Sequence, residues 1–203
     1  MEVRALMLDG LKNALKNKSF WTYLLISFIG MGLFNGITTW VEGIIRPRGF
    51  SPTVAGTLGA LMLVGGVLGA VILPPISDKQ RKRQRFLLIG FAFAIPGLIG
   101  LTFAESAWLL YVSAFSMGFF LVSANPIGMQ YAAEITFPTP EGTSNGLIQL
   151  FSQASVVFVY VMEALRKPDG SFSPALLLAV GLMVISVLAI LRLKDPEIIR
   201  SNT

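Results

Sequence analysis

The sequence predicts an all-α membrane protein, a bundle of six transmembrane helices, from three observations. Six uncharged apolar stretches follow one another within 203 residues, and each has about the 20 residues that a helix needs to cross the hydrocarbon core. Hydrophobic residues make up 54% of the chain and charged residues 13%, which is too little charge for a soluble domain of this size. Backbone groups inside lipid must pair internally, and single uncharged stretches do so as helices.

The predicted crossings occupy residues 19–41, 54–76, 86–104, 107–133, 142–162 and 170–191. They divide the chain into a lead-in at 1–18, a six-helix transmembrane domain at 19–193 and a tail at 194–203. Charged residues interrupt the lead-in, which argues against a cleavable signal peptide. Its apolar residues recur at roughly helical spacing, so it is either a short amphipathic helix at the membrane surface or a partly disordered segment.

Hydroxyl residues followed by proline mark three helix starts. A capping hydroxyl and then proline at the first helical position are typical of a helix N-terminus. The pattern occurs before the second, fifth and sixth crossings, at Ser51-Pro52, Thr139-Pro140 and Ser173-Pro174. Pro96 and Pro126 fall inside the third and fourth crossings, where we expect kinks supported by neighbouring helices.

Glycine pairs four residues apart indicate close contacts between helices. Gly32 with Gly36 and Gly65 with Gly69 are such pairs. Small residues at this spacing let two helix backbones approach closely within a membrane. We therefore interpret these four glycines as packing residues.

Lysine and arginine are distributed unequally between the two sides of the predicted bundle. Twelve lie on the side of the termini and four on the other side. The positive-inside rule therefore places both termini in the cytoplasm, with the protein in the cytoplasmic membrane. The net charge of +5 suits contact with anionic lipid headgroups, and we expect no nucleic-acid partner.

Polar residues line one face of the fifth crossing, where lipid contact would be costly. Six of them fall within about a 100° arc at 100° per residue: Asn145, Gln149, Ser152, Gln153, Tyr160 and Glu163. They either line a water-filled cavity or hydrogen-bond to other helices. In the first crossing Asn35, Thr38, Thr39 and Glu42 share a face, and nearby Trp40 is interpreted as an interfacial anchor.

We take five of the bundle's polar residues as candidates for a cavity that binds a small-molecule substrate. Asn125, on the fourth crossing, belongs to no polar stripe but is included. The candidate set is Asn35, Thr39, Asn125, Gln149 and Gln153.

The gap between the second and third crossings carries the densest charge in the chain. Asp78 stands at the helix end and is followed by Lys79 and a basic run that ends with Arg83 and Arg85. Asp78 could accept hydrogen bonds from the positive N-terminal end of another helix, and the cations could pair with carboxylates. Glu134 and Glu141 are the acids available at that side. We predict a latch of Asp78, Lys79, Arg83, Glu134 and Glu141; the alternative is plain topology-setting charge.

The sequence has neither cysteine nor histidine. It therefore lacks thiolate ligands, the commonest metal ligand and the usual proton shuttle. No Asp or Glu lies well inside a crossing, so a nucleophile–base pair or metal site at membrane depth is not expected. We expect no enzyme activity, no cofactor and no metal. A membrane-embedded enzyme of lipids or peptides stays the weaker alternative.

The residues from Asp78 to Arg83 resemble the signature loop of the major facilitator superfamily, Gly-x-x-x-Asp-Arg/Lys-x-Gly-Arg/Lys-Arg/Lys. Pro74 and Arg81 replace its two glycines, and such loss is more usual in the C-terminal half of the fold. The stretch from Met117 through Glu134 to Leu147 resembles the feline leukaemia virus subgroup C receptor-related family. Characterised animal members of that family carry choline, ethanolamine or haem-related cargo.

The resemblance implies the C-terminal six-helix half of a secondary transporter that works by alternating access. The substrate site would lie between two six-helix halves, so a second half or a homodimer partner is expected. By this comparison Gln153 matches a substrate-contacting glutamine. Asn35 stands where a cavity-lining tyrosine does, and it supplies no cation–π contact, so the cargo is not carried over.

Three origins are compatible with a six-helix chain: a split or truncated gene product, a half-carrier with a separate partner, or a homodimer. A non-transporting receptor or assembly subunit is the alternative function.

Overall fold

The computed structural model describes residues 2–195, with side chains from Asp9 onward. Within those residues eight α-helices follow one another: α1 Glu2–Lys16, α2 Lys18–Ile45, α3 Pro52–Gln80, α4 Arg83–Phe103, α5 Ala107–Ile135, α6 Glu141–Ala154, α7 Val157–Ala164 and α8 Ser173–Arg192. A short 3-10 helix, Arg46–Arg48, extends α2. Six helical segments of the described chain are long and apolar enough to span a membrane, and α6 and α7 together make the fifth. The predicted all-α fold and its six crossings are confirmed.

The six crossings alternate in direction, so the loops collect at two faces of the bundle. We call the face with α1 and residues 81–82, 136–140 and 193–195 the terminal face. The opposite face holds residues 46–51, 104–106 and 165–172. These two names are used below without assigning either face to a compartment.

Helices α2 and α5 lie at the centre of the bundle. The longest packed seam runs between α3 and α5, and α4 lies between α5 and α8. Helix α2 contacts both parts of the fifth crossing as well as α8. The second and fifth crossings are the least covered, with 28% and 22% of their most apolar stretches buried, against 50% for α4.

The α3–α5 seam depends on backbone contact at glycines. A Cβ atom on Gly69 would lie 2.0 Å from the carbonyl oxygen of Phe119, and one on Gly65 would lie 2.5 Å from that of Phe115. From the other side, a Cβ on Gly118 would lie 2.1 Å from the carbonyl oxygen of Met62. The predicted packing role of Gly65 and Gly69 is therefore found in the structure.

Gly32 and Gly36 make the corresponding approach between α2 and α7. Cβ atoms there would meet the ring of Phe158 at 2.2 Å and the sulfur of Met162 at 2.5 Å. Both contacts are to side chains, whereas those of the α3–α5 seam are to backbone. The packing interpretation of this pair is also found.

The three proline-marked helices begin within one residue of the predicted starts, but none of the three predicted hydroxyls makes a capping hydrogen bond. Ser51 is the N-cap residue of α3, yet its side chain makes no capping hydrogen bond. Pro140 itself is the N-cap of α6, and the Thr139 hydroxyl donates to the backbone oxygen of Gly10, at 3.2 Å. Helix α8 begins at Ser173, so its hydroxyl lies one residue past the cap position.

The interruption of helical structure falls elsewhere than the prolines suggest. Helices α4 and α5 continue through Pro96 and Pro126 without ending. The fifth crossing, which has no proline in its middle, ends one helix at Ala154 and starts the next at Val157. The two parts are joined by tight turns, in which each backbone N–H donates to the carbonyl oxygen three residues earlier. A 3-10-like stretch inside a helix often marks a hinge or a strained sequence.

The lead-in forms a helix, α1, that packs on the terminal face. Gly10 and Ala14 are buried there, and Asn17 connects three segments. Its Oδ1 accepts from the backbone N–H groups of Ser19 and Phe20, at 2.9 and 3.2 Å. Its Nδ2 donates to the backbone oxygen of Ile135, at 2.8 Å. Residues 196–203 of the predicted tail lie outside the described residues.

Candidate functional site

Arg83 joins the ends of three helices at the terminal face. It is the first residue of α4, and only 6% of it is exposed. Its Nη2 donates to Glu134 Oε1 of α5 at 2.9 Å and its Nε to the same oxygen at 3.2 Å. Its Nη1 contacts the carboxylate of Asp78 at the end of α3. We call Asp78, Arg83 and Glu134 the latch cluster.

Of the two acids in the latch cluster, Glu134 is the more buried. Gln130, one turn earlier on α5, donates to Glu134 Oε1 at 3.0 Å. The Glu134 side chain is 15% exposed, whereas that of Asp78 is 60% exposed. A buried guanidinium requires carboxylate partners because unpaired burial of a charge is costly. The cluster therefore holds α3, α4 and α5 together at this face.

Two other residues of the predicted latch do not join it. Lys79 and Glu141 are exposed, and neither forms an ion pair with another residue of the described chain. Glu141 is the first residue of α6, where a negative charge interacts favourably with the helix dipole.

Arg81 adopts the backbone conformation for which glycine is suited. It ends α3 in the left-handed region, with φ = 50° and ψ = 39°. Residues other than glycine have steric strain in this left-handed region. This is the position where the superfamily signature has its second glycine, so the structure explains why the signature needs one.

The polar face of the fifth crossing is largely uncovered. Gln149 and Gln153 are exposed, and Tyr160 is 71% exposed. Asn145 is half-buried, and its Oδ1 has no hydrogen-bond partner in the described chain. Ser152 is buried. Glu163 pairs with Arg166, Oε1 to Nη1 at 3.3 Å.

The five candidate cavity residues do not share one enclosed space in this chain. Thr39 lines a cavity of about 290 Å³ at the opposite face. Asn125 lines a separate crevice of about 20 Å³ with Tyr23 and Phe91. Asn35, Gln149 and Gln153 line neither of these two spaces.

Two polar contacts of the opposite face were not predicted from the sequence. The Arg48 guanidinium donates to the backbone oxygens of Leu101 and Ala104, at 2.8 and 2.9 Å. It thereby supplies donors to the last carbonyls of α4, which no helical N–H reaches. The two arginines just after the first crossing, Arg46 and Arg48, were the available signal, but they do not reveal the partner helix.

The second of these contacts is made by Trp40. Its Nε1 donates to the backbone oxygen of Val159 at 2.9 Å, just beyond the interruption of the fifth crossing. The residue packs against the core, so its polar end is held by protein. The interfacial-anchor interpretation therefore missed its main contact.

Comparison with known proteins agrees with this architecture. Residues 2–160 and 43–202 each match the family model of the Major Facilitator Superfamily. An uncharacterized protein of Archaeoglobus fulgidus is 34% identical over 89% of this chain and 82% of that protein. Solute carrier family 49 member A3 of Danio rerio is 32% identical over 81% of this chain and 36% of that protein.

A choline/ethanolamine transporter is among the similar proteins. FLVCR2 of Rattus norvegicus is 25% identical over 96% of this chain and 37% of that protein. The chain thus spans about a third of the length of these two animal relatives. The resemblance to the receptor-related carriers is confirmed at the level of sequence similarity. The six membrane-spanning helices and the matches to the family model lead to one conclusion: this multi-pass membrane protein belongs to the major facilitator superfamily of transporters.

Proposed function

We propose that the chain is one six-helix half of a secondary transporter and carries a small solute by alternating access together with a second six-helix unit. The uncovered polar face of the fifth crossing, in a chain of a transporter family, is the observation that carries the proposal. Gln149 and Gln153 are exposed on a membrane-spanning helix. A polar side chain that faces lipid is costly, so a partner or a water-filled cavity must cover it.

The distribution of burial supports a second six-helix unit that covers the second and fifth crossings. The two least covered crossings are the second and the fifth, whereas α2 and α5 are central. Superfamily halves are related by an axis along the membrane normal and enclose the substrate near the midplane. With such a partner, Asn35, Thr39, Asn125, Gln149 and Gln153 would contribute one wall of the cavity.

The partner is either a separate six-helix chain or a second copy of this one. The Archaeoglobus fulgidus relative is matched over 82% of its length. The relatives' substrates, choline and ethanolamine, are the first solutes to test. Asn35 offers no aromatic face to a quaternary ammonium, so we propose no preference for choline.

Cysteine cross-linking tests the second copy, because the chain has no cysteine of its own. Gln153→Cys on the uncovered polar face should cross-link two copies. Leu188→Cys is the matched control, since Leu188 is 55% exposed but lies on the apolar surface of α8. Equal cross-linking of the two variants, or none at Gln153→Cys, would exclude a homodimer through this face.

Uptake into proteoliposomes tests transport itself. Saturable uptake of choline or ethanolamine should be reduced by Gln153→Leu while the protein still inserts. Binding of solute without uptake, with the second unit present, would favour the receptor or assembly-subunit alternative. Loss of folding in Gln153→Leu is not expected, because the side chain is exposed.

The latch cluster supports a conformational role at the terminal face. Asp78 and Glu134 hold one arginine between them, and such an arrangement can form in one conformation and open in another. The excess of lysine and arginine on the side of the termini supports a cytoplasmic location for this face in the cytoplasmic membrane.

A further inference from the structure

The cavity of about 290 Å³ at the opposite face is lined by residues of α2 and of the loop before α8. We call it the opposite-face cavity. Its principal lining residues are Thr39, Trp40, Glu42, Arg46, Arg166 and Phe172. Its volume is far above the roughly 10–15 Å³ that one water requires, so it can hold a small solute.

One side of the cavity carries two opposite charges on the same helix face. Glu42 and Arg46 are four residues apart, near and just past the end of α2, a spacing that places side chains side by side. Both are exposed. Neither forms an ion pair with another residue of the described chain, nor with the other. An acid and a guanidinium therefore face the same space without partners from the protein.

The other side of the cavity is aromatic and held in place. The Trp40 and Phe172 rings lie 5.4 Å apart, centroid to centroid, at 31°. The Arg166 guanidinium carbon lies 5.5 Å from the Phe172 ring centroid. Trp40 is held by its hydrogen bond to Val159 and Phe172 by burial, being 1% exposed, while Arg166 pairs with Glu163 at the surface. These residues form a wall before any ligand binds, which lowers the entropic cost of binding.

We propose that the opposite-face cavity binds a small zwitterion, a solute with one anionic and one ammonium group. Its anionic group would lie at Arg46, whose guanidinium matches a carboxylate in shape and charge. Its ammonium group would lie between Glu42 and the Trp40 ring, which line the same cavity, so that cation–π attraction adds to the charge pairing. A solute with only one charge would leave Glu42 or Arg46 facing an unmatched site. The binding does not depend on the second six-helix unit.

Binding by the purified chain in lipid nanodiscs tests the proposal. The probes are glycine betaine and glycine as zwitterions, acetate as the anion alone and tetramethylammonium as the cation alone. At least one zwitterion should bind tenfold or more tightly than acetate or tetramethylammonium. Zwitterions that bind no better than the single ions, or not at all, would overturn the proposal.

Charge-neutralising variants locate the binding. Glu42→Gln and Arg46→Gln should each weaken zwitterion binding at least tenfold. Glu105→Gln and Lys167→Gln are the matched controls, because both lie at the same face outside the cavity lining, and they should bind as the parent does. Parent-like binding by the two cavity variants would place the zwitterion elsewhere and refute the assignment. Unchanged thermal stability of all four variants confirms that the comparison is between folded proteins.

Discussion

Replacing Gly69 by alanine should destabilise the protein, because α3 and α5 touch through their backbones at this residue. The new Cβ would lie 2.0 Å from the Phe119 carbonyl oxygen, where ordinary contacts begin at 3.4 Å. A backbone carbonyl cannot rotate away as a side chain can. The two helices must therefore separate locally by roughly 1 Å or more, and the seam loses its contacts on both sides.

The expected loss follows from two opposing effects. Overpacking a well-packed interior typically costs about 1–3 kcal/mol. Alanine in place of glycine returns up to about 1 kcal/mol through its higher helix propensity. Because the new Cβ meets a backbone carbonyl, the cost of Gly69→Ala lies at the upper end of that range, about 3 kcal/mol. The net destabilisation is therefore about 2–3 kcal/mol, which corresponds to roughly 4–12 °C in melting temperature for a chain of this size.

Gly59→Ala is the matched control on the same helix. A Cβ atom there would meet nothing within 4 Å, so only the propensity gain remains, up to about 1 kcal/mol. Thermal unfolding of both variants and the parent in one detergent measures the difference. A Gly69→Ala protein as stable as the parent, or an equal loss in Gly59→Ala, would refute the argument that backbone contact holds this seam.

Three further predictions concern the two faces of the bundle. Asp78→Asn should reduce transport sharply and leave membrane insertion intact, because the latch cluster loses one of its carboxylates; unchanged uptake would discard the latch. Arg81→Gly should raise the unfolding free energy by about 1 kcal/mol by relieving left-handed strain, and an unchanged or lower melting temperature would contradict this. Arg48→Gln should cost about 1–3 kcal/mol, because the carbonyls of Leu101 and Ala104 lose their donors. Denaturation in detergent measures that loss, and a parent-like midpoint would show that water replaces the arginine.

The latch cluster shows how far local charge patterns can be interpreted. The sequence predicted Asp78, Arg83 and Glu134 as latch residues, because the cations of a basic run can pair with carboxylates on the same side of the membrane. It also included Lys79 and Glu141, which the structure leaves outside the cluster. The sequence shows which residues are charged and on which side of the membrane they lie. The distance between their side chains depends on how the helices pack.

The interruption of the fifth crossing could not be inferred from residue types. The residues around it, Gln153 to Val157, include neither proline nor glycine, while the prolines of α4 and α5 lie within continuous helices. The polar face predicted for the fifth crossing assumed one unbroken helix at 100° per residue. The turn between Ala154 and Val157 shifts its second half relative to the first, which local propensity does not encode.

The sequence by itself determined that six helices cross a membrane and roughly where each lies, because a helix needs about 20 predominantly apolar residues to cross the hydrocarbon core. Only the tertiary structure decided which surfaces meet: the seam at Gly69, the donors of Arg48 and the cavity between Glu42 and Phe172. These depend on distances between residues far apart in the chain. Such distances are set by packing between helices, and the apolar pattern of each helix is compatible with many neighbours.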